Sequence, residues 1–277
     1  MRTYTHVFKV FATWAGLLAL AVLTVGPFLW LLVTALKGGG ENIFAYPPSL
    51  WPAQPTLDNF RQVWEAVPFG RYFFNSVLVA IVSVGLNLIL ASLAAFPLAR
   101  MRFRGREPFF VVILATMMIP LPVIMIPLFI LSQRLGLLNS YSGLILPTAV
   151  SAFGIFLMRQ AFLAIPREIE EAAVIDGANP WQVFWQVMLP LTKPSLATLA
   201  IFVFVGSWGD FLWPLIVLKD PDLYTLPVGI SYLAGTFSAN WRLIAAGSVL
   251  SIVPIVIVFV ALQRFFIGGQ TAGAVKG

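Results

Sequence analysis

The chain has 277 residues, of which 60% are hydrophobic and only 10% charged, and it carries a net charge of +6. Soluble domains run at about 25% charged residues, so this composition excludes a water-soluble globular protein. Cysteine is absent and His6 is the single histidine, which excludes a disulfide framework and a metal-ligand cluster and leaves an intramembrane enzyme without a nucleophile-base pair.

A helix crosses the hydrocarbon layer with about 20 residues, and six stretches nearly free of charge are long enough. The first, residues 10–36, exceeds a signal-peptide core and is expected to remain as a signal anchor. An extracytoplasmic segment, residues 37–70, follows, with Pro47, Pro48, Pro52 and Pro55 imposing extended or turn geometry. Its short amphipathic stretch with Leu57, Phe60 and Trp64 is expected on the membrane surface. The second span, residues 72–99, ends on Arg100, Arg102, Arg104 and Arg106.

The third span, residues 108–133, contains Pro120, Pro122 and Pro127. Kinks there are tolerated at membrane depth only where other helices or a wet cavity satisfy the freed carbonyls. This span is therefore expected inside the bundle, and its prolines read equally as packing or as pathway features. The fourth, residues 135–158, is expected to start near Tyr141. The fifth, residues 194–218, is interrupted by Asp210, and the sixth covers residues 243–263. An ionisable residue within a span is costly; Asp210 either lines a pathway or helix contact, or sits solvated at the outer interface.

Barrel strands would alternate apolar and polar residues over about ten positions, and no such alternation is present. The reading is an all-α polytopic membrane protein with six transmembrane helices. Most of the seventeen Lys and Arg fall on the side of the two termini, which places both termini in the cytoplasm. Since the excess base serves topology, no nucleic-acid partner is expected; lipid is.

Between the fourth and fifth spans, residues 159–193 read as two short helices. Pro166 serves as the first helical residue, and Glu168, Glu170 and Glu171 follow where carboxylates favour the helix dipole. Gly177 supplies a left-handed cap. Asn179 then caps a second helix with Pro180 at its first position. Trp181, Phe184, Trp185 and Met188 recur at helical spacing as an aromatic stripe, which suits lipid headgroups and neighbouring spans as well as a protein contact. The acidic first helix favours a protein, because an anionic inner leaflet repels it.

This segment resembles the EAA loop of bacterial ABC importer permeases, whose pattern is Glu-Ala-Ala, three residues, Gly, nine residues, Ile, any residue, Leu-Pro. Here Glu171, Ala172, Ala173, Gly177, Val187, Leu189 and Pro190 keep every spacing, with valine for isoleucine as the one departure. The run from Gly206 through Trp208, Asp210 and Trp213 to Leu215, and the ending from Gln263 through Thr271, Ala272, Gly273 and Lys276, are similar to maltose-type sugar permeases, on the side of the smaller permease subunit. Gly209 departs from an asparagine common there, which weakens any role carried to that position.

The resemblance implies a type I importer permease (MetI-like) fold, with residues 1–70 forming the first helix and extracytoplasmic segment, 71–264 the permease core and 265–277 a cytoplasmic tail. It implies a second, larger permease subunit, two ATPase subunits holding ATP and Mg, and an extracytoplasmic solute-binding protein. The chain itself binds no cofactor in this reading, and no phosphate-binding loop precedes any of its lysines. Residues 166–190 become the element that couples to the ATPase, and Thr271, Ala272, Gly273 and Lys276 a tail that touches it. Asp210, Trp208, Pro120 and Pro122 are candidates for the pathway or for helix contacts. Glu107, outside the motif, is expected to matter little. A glycerol-phosphate, polyol or other cargo on the same architecture, and an ion-driven secondary transporter, are the alternatives; the latter usually shows repeated halves, which are absent.

Overall fold

The computed structural model describes residues 2–47, 49–236 and 240–271. Among them the secondary structure is helical, apart from one isolated bridge between Lys37 and Pro55. The chain divides into two compact units, one of residues 1–69 with 230–253 and the other of residues 70–229 with 254–277.

In the first unit, α1 (Arg2–Leu36) is apolar and largely exposed from Lys9 to Trp30, a surface that suits lipid, and becomes buried at Thr34 and Ala35. The chain that leaves it is tied down by polar contacts. Lys37 is buried, donates from Nζ to Ser49 O at 2.9 Å and lies 5.2 Å from the Trp30 ring. Asn59, on α2 (Asp58–Ala66), donates to Ala35 O and Lys37 O at 2.8 and 2.9 Å. These bonds decide which face of α2 is buried. Asn59 and Val63 point inward while Leu57 and Trp64 are exposed, so the expected apolar stripe of Leu57, Phe60 and Trp64 is not the packed face.

The second unit is organised on α3 (Phe69–Arg100). Ser76, Ala80, Ser83, Asn87, Ala91 and Ala95 recur every three or four residues and are all buried. Small residues at this spacing let neighbouring backbones approach closely, the usual way helices associate in lipid. Around its C-terminal half sits an aromatic core in which Phe96, Phe162 and Phe184 pack with centroids 5.2–6.2 Å apart.

Three helices, α1, α3 and α14 (Trp241–Thr271), are long and apolar enough to cross a membrane, and the number rises to six when each of three bent helix pairs is counted as one span. In the third span α4 (Arg106–Thr116) and α5 (Leu121–Arg134) meet at 98°. Pro120 stands in extended geometry at the break, with Pro122 in the first turn of α5. Contrary to the sequence expectation, this span does not pack inside the chain's own bundle: Met118 is 85% exposed and Pro120 and Pro122 are exposed too. The prolines do break the helix, but the break faces outward from this chain.

The fourth span pairs α6 (Tyr141–Ile145) and its 3-10 extension Leu146–Thr148 with α7 (Ala152–Ala164) at 46°. It begins at Tyr141, as the sequence predicts, with Ser140 capping. After α8 (Arg167–Ile175), α9 (Pro180–Gln182) runs through a π-helical turn, Val183–Met188, into α10 (Leu189–Leu191). That rod meets α11 (Lys193–Gly209) at 77°. α12 (Leu212–Val217) and α13 (Leu226–Thr236) follow before α14.

Candidate functional site

Two features of the second unit carry chemistry: the segment from Pro166 to Pro190, and a cavity beside α3. In the segment, Pro166 is the cap and Arg167 the first helical residue, one position later than the sequence suggests. Gly177 has φ +88°, the left-handed geometry that ends α8 and that side chains disfavour. Ala178 N donates back to Ala173 O at 3.0 Å, closing the turn. A capping box starts α9: Asn179 Oδ1 accepts from Gln182 N at 3.0 Å, and Gln182 Oε1 accepts from Asn179 N at 2.8 Å.

The aromatic stripe splits. Phe184 and Met188 are buried in the aromatic core, whereas Trp181 and Trp185 remain exposed. The π-helical turn accounts for this, because its wider winding displaces residues from a strict 3.6-residue register. Phe184 therefore anchors the segment to α3 and α7. Ala173 and Leu189 pack against the same core, and Val187 is half-buried.

The opposite surface is uncovered. Glu171, Ala172 and Pro190 are exposed, as are Val174 and Ile175, the latter at 84%. Glu171, Val174 and Ile175 share a shallow groove of about 390 Å³ with Arg100, Arg167 and Glu170. Carboxylate, guanidinium and bare aliphatic groups thus stand together on a packed base.

Arg100 and Arg159, which the sequence showed only as topological charges, form the base. Arg100 donates from Nη2 to Phe162 O at 2.6 Å and to Ile165 O, and its Nε lies 3.6 Å from Glu170 Oε2. It thus joins the end of α3 to the end of α7 and the start of α8. Arg159 donates from Nε to Leu98 O at 3.1 Å and from Nη2 to Glu107. Glu107 is consequently not a bystander: its carboxylate is the partner of a buried guanidinium. No sequence spacing signalled that pairing, because it spans separate helices.

The cavity, about 500 Å³, is lined by α3, α5, α6, α7, α11 and α12 residues together with Thr225. Asp210 lies on its wall at the break between α11 and α12, where its Oδ1 accepts from Trp213 N at 3.4 Å. Trp213 is buried, and its Nε1 donates to Gly143 O at 3.0 Å, which ties α12 to α6 and holds the break in place. Trp208 is not on the wall. It is buried, stacked on Phe204 at 5.5 Å and edge-on to Phe73 at 5.7 Å, a helix contact. Pro120 and Pro122 do not line the cavity, although their neighbour Leu121 does. Thr271 closes α14, while Ala272, Gly273 and Lys276 lie outside the described residues.

Residues 87–269 match the family described as binding-protein-dependent transport system inner membrane component. The chain is 41% identical over 269 residues to the arabinooligosaccharides transport system permease protein AraQ of Halalkalibacterium halodurans, covering 95% of both chains. It is 35% identical to the lactose transport system permease protein LacG of Rhizobium radiobacter, covering 92% of both. In three dimensions it is similar to a chain of a bacterial ABC transporter involved in the import of the acidic polysaccharide alginate. The TM-score is 0.83 and the identity 27%, over 96% of this chain and 98% of that one. The capped helix pair, the bent helices and these likenesses over nearly the whole length converge: the chain belongs to the binding-protein-dependent transport system inner membrane component family, as a multi-pass permease subunit of an ABC importer.

Proposed function

We propose that this permease imports a sugar or oligosaccharide across a prokaryotic cytoplasmic membrane by alternating access, with both termini inside. Relatives named for arabinooligosaccharides and lactose, matched over nearly their full lengths, support the cargo class. The chain pairs with a second, larger permease subunit. Two ATPase subunits hold ATP and Mg, and an extracytoplasmic binding protein delivers the sugar.

The observation that carries the mechanism is the exposed Glu171, Val174 and Ile175 on α8, backed by Arg100 and by Phe184 in the core. A carboxylate beside bare aliphatic side chains fits a groove with a basic residue on the ATPase. Seated there, α8 is pushed when the ATPase pair closes. The push passes through the Arg100 contacts to α3 and α7 and through Phe184 to the aromatic core, so it reaches the spans that line the cavity. The tail bearing Thr271, Ala272, Gly273 and Lys276 adds a second ATPase contact.

Reversing the charge at Glu171 tests this. A partly buried pair broken on one side costs several kcal/mol through the stranded charge. Glu171→Arg is expected to insert normally yet lose the ATPase on purification, or lose uptake while ATP is still hydrolysed. Full retention of the ATPase together with wild-type uptake would remove the coupling role from α8.

A further inference from the structure

We infer that the groove between the α3–α4 turn and the start of α8 binds the phosphodiester headgroup of an anionic phospholipid, held by Arg102, Arg104 and Arg167. The inference goes beyond the importer reading: it needs the chain to lie in a membrane and is indifferent to the cargo.

Arg102, Arg104, Arg106 and Arg167 line one shallow groove of about 610 Å³, together with Phe103 and Glu107. Topology alone asks for basic residues after α3, but it does not ask for Arg167 beside them. That residue opens α8, a separate element far along the chain, and packing brings it to the same groove.

The charges are not neutralised from within. Glu107 is the carboxylate on the groove, and it is already engaged by Arg106 at 2.8 Å and by Arg159 at 2.8 and 3.0 Å. Arg106 also donates from Nη1 to Met101 O at 3.2 Å, which fixes the turn. The carboxylates of Glu170 and Glu171 line the neighbouring groove instead, with Glu170 3.6 Å from Arg100. Arg102, Arg104 and Arg167 are exposed, and none of them forms an ion pair with a described residue.

Three reachable guanidinium groups on one groove match a phosphate, whose oxygens accept paired hydrogen bonds in the fork geometry that arginine offers. The apolar surroundings decide between a lipid and a free phosphate ion. Phe103 is exposed on the groove itself, and Phe109, Val111 and Val112 are exposed along the first turns of α4. A free ion gains nothing from them, whereas a phospholipid seats its headgroup on the arginines and lays its acyl chains along α4. Basic pockets at the ends of spans bind such headgroups. Because the arginines belong to two elements, the bound headgroup bridges the α3–α4 turn to the start of α8.

The test places the assembled transporter in phosphatidylcholine nanodiscs with a trace of phosphatidylglycerol that carries a photoreactive diazirine on its acyl chain near the headgroup. After irradiation, the attachment sites are mapped by mass spectrometry. Attachment within this chain is expected to concentrate on residues 101–112. Excess unlabelled phosphatidylglycerol should abolish it, while added phosphatidylcholine or millimolar inorganic phosphate should leave it unchanged. Arg102→Gln, Arg104→Gln and Arg167→Gln combined should lower it about tenfold. Arg61→Gln, Arg71→Gln and Arg134→Gln, which remove the same charge elsewhere, should not. Attachment spread evenly over the exposed helices of the wild-type chain overturns the site, and so does an equal loss in the charge-matched control. Competition by inorganic phosphate as effective as that by phosphatidylglycerol overturns the assignment to lipid. The wild-type map and its competition decide the matter even where the glutamine variant fails to assemble.

Discussion

The Arg159 guanidinium donates to both carboxylate oxygens of Glu107, at 2.8 and 3.0 Å, while its centre lies 4.0 Å from the Phe110 ring centroid. The arginine side chain is 10% exposed and the glutamate 55%, so the pair is asymmetric. The cation is dry and its partner is wet. Reversing Glu107 leaves a buried guanidinium facing a second cation, and solvent screening on the glutamate side tempers the loss. Glu107→Arg is expected to cost about 1–2 kcal/mol, within the penalty for stranding a buried charged donor. Glu107→Gln, which keeps an acceptor, should cost less. Thermal unfolding of the purified chain in detergent measures both, and equal midpoints for wild type and Glu107→Arg would contradict the pairing.

Gly177 separates space from backbone strain. A Cβ built there meets nothing within 4 Å, yet φ is +88°. The penalty for a side chain is therefore conformational, about 1–2 kcal/mol for ordinary residues, and smaller for asparagine. Gly177→Val should re-aim α8 against α9 and reduce uptake, while Gly177→Asn should retain most of it. A valine variant with uptake equal to the asparagine variant would show that the turn geometry does not govern coupling.

At Gly229 the constraint is space. An added Cβ would lie 2.0 Å from Cδ2 of Tyr72, a buried ring. Overpacking of this kind costs about 1–3 kcal/mol. Gly229→Ala is expected to lower the yield of folded protein, and Tyr72→Ala in the same chain should recover part of it by vacating the volume. The recovery, read by size-exclusion profile after solubilisation, distinguishes a steric clash from a helix-propensity effect, which would not respond to Tyr72.

Orientation is tested by accessibility. Leu50 is 74% exposed and Arg104 is exposed. In this chain without cysteine, Leu50→Cys should react with an impermeant maleimide in intact cells and Arg104→Cys only after the membrane is opened. Reaction of Arg104→Cys in intact cells would reverse the assigned topology, since that residue belongs to the basic run after α3.

The sequence by itself determined the features written in local chemistry. Apolar length set the spans, because the hydrocarbon layer accepts only residues that hide their backbone polarity within a helix. Turn chemistry set the helix pair from Arg167 to Leu191, because the left-handed Gly177 and the Asn179 cap are properties of a few adjacent residues. Tertiary structure decided what depends on residues distant in the chain. The pairing of Arg159 with Glu107, the bond from Arg100 to Phe162, and the burial of Phe184 while Trp185 stays exposed all arise when separate helices pack. Helical periodicity names the face a side chain occupies but not the helix that will cover it, and in a chain this apolar nearly every face looks ready to be buried.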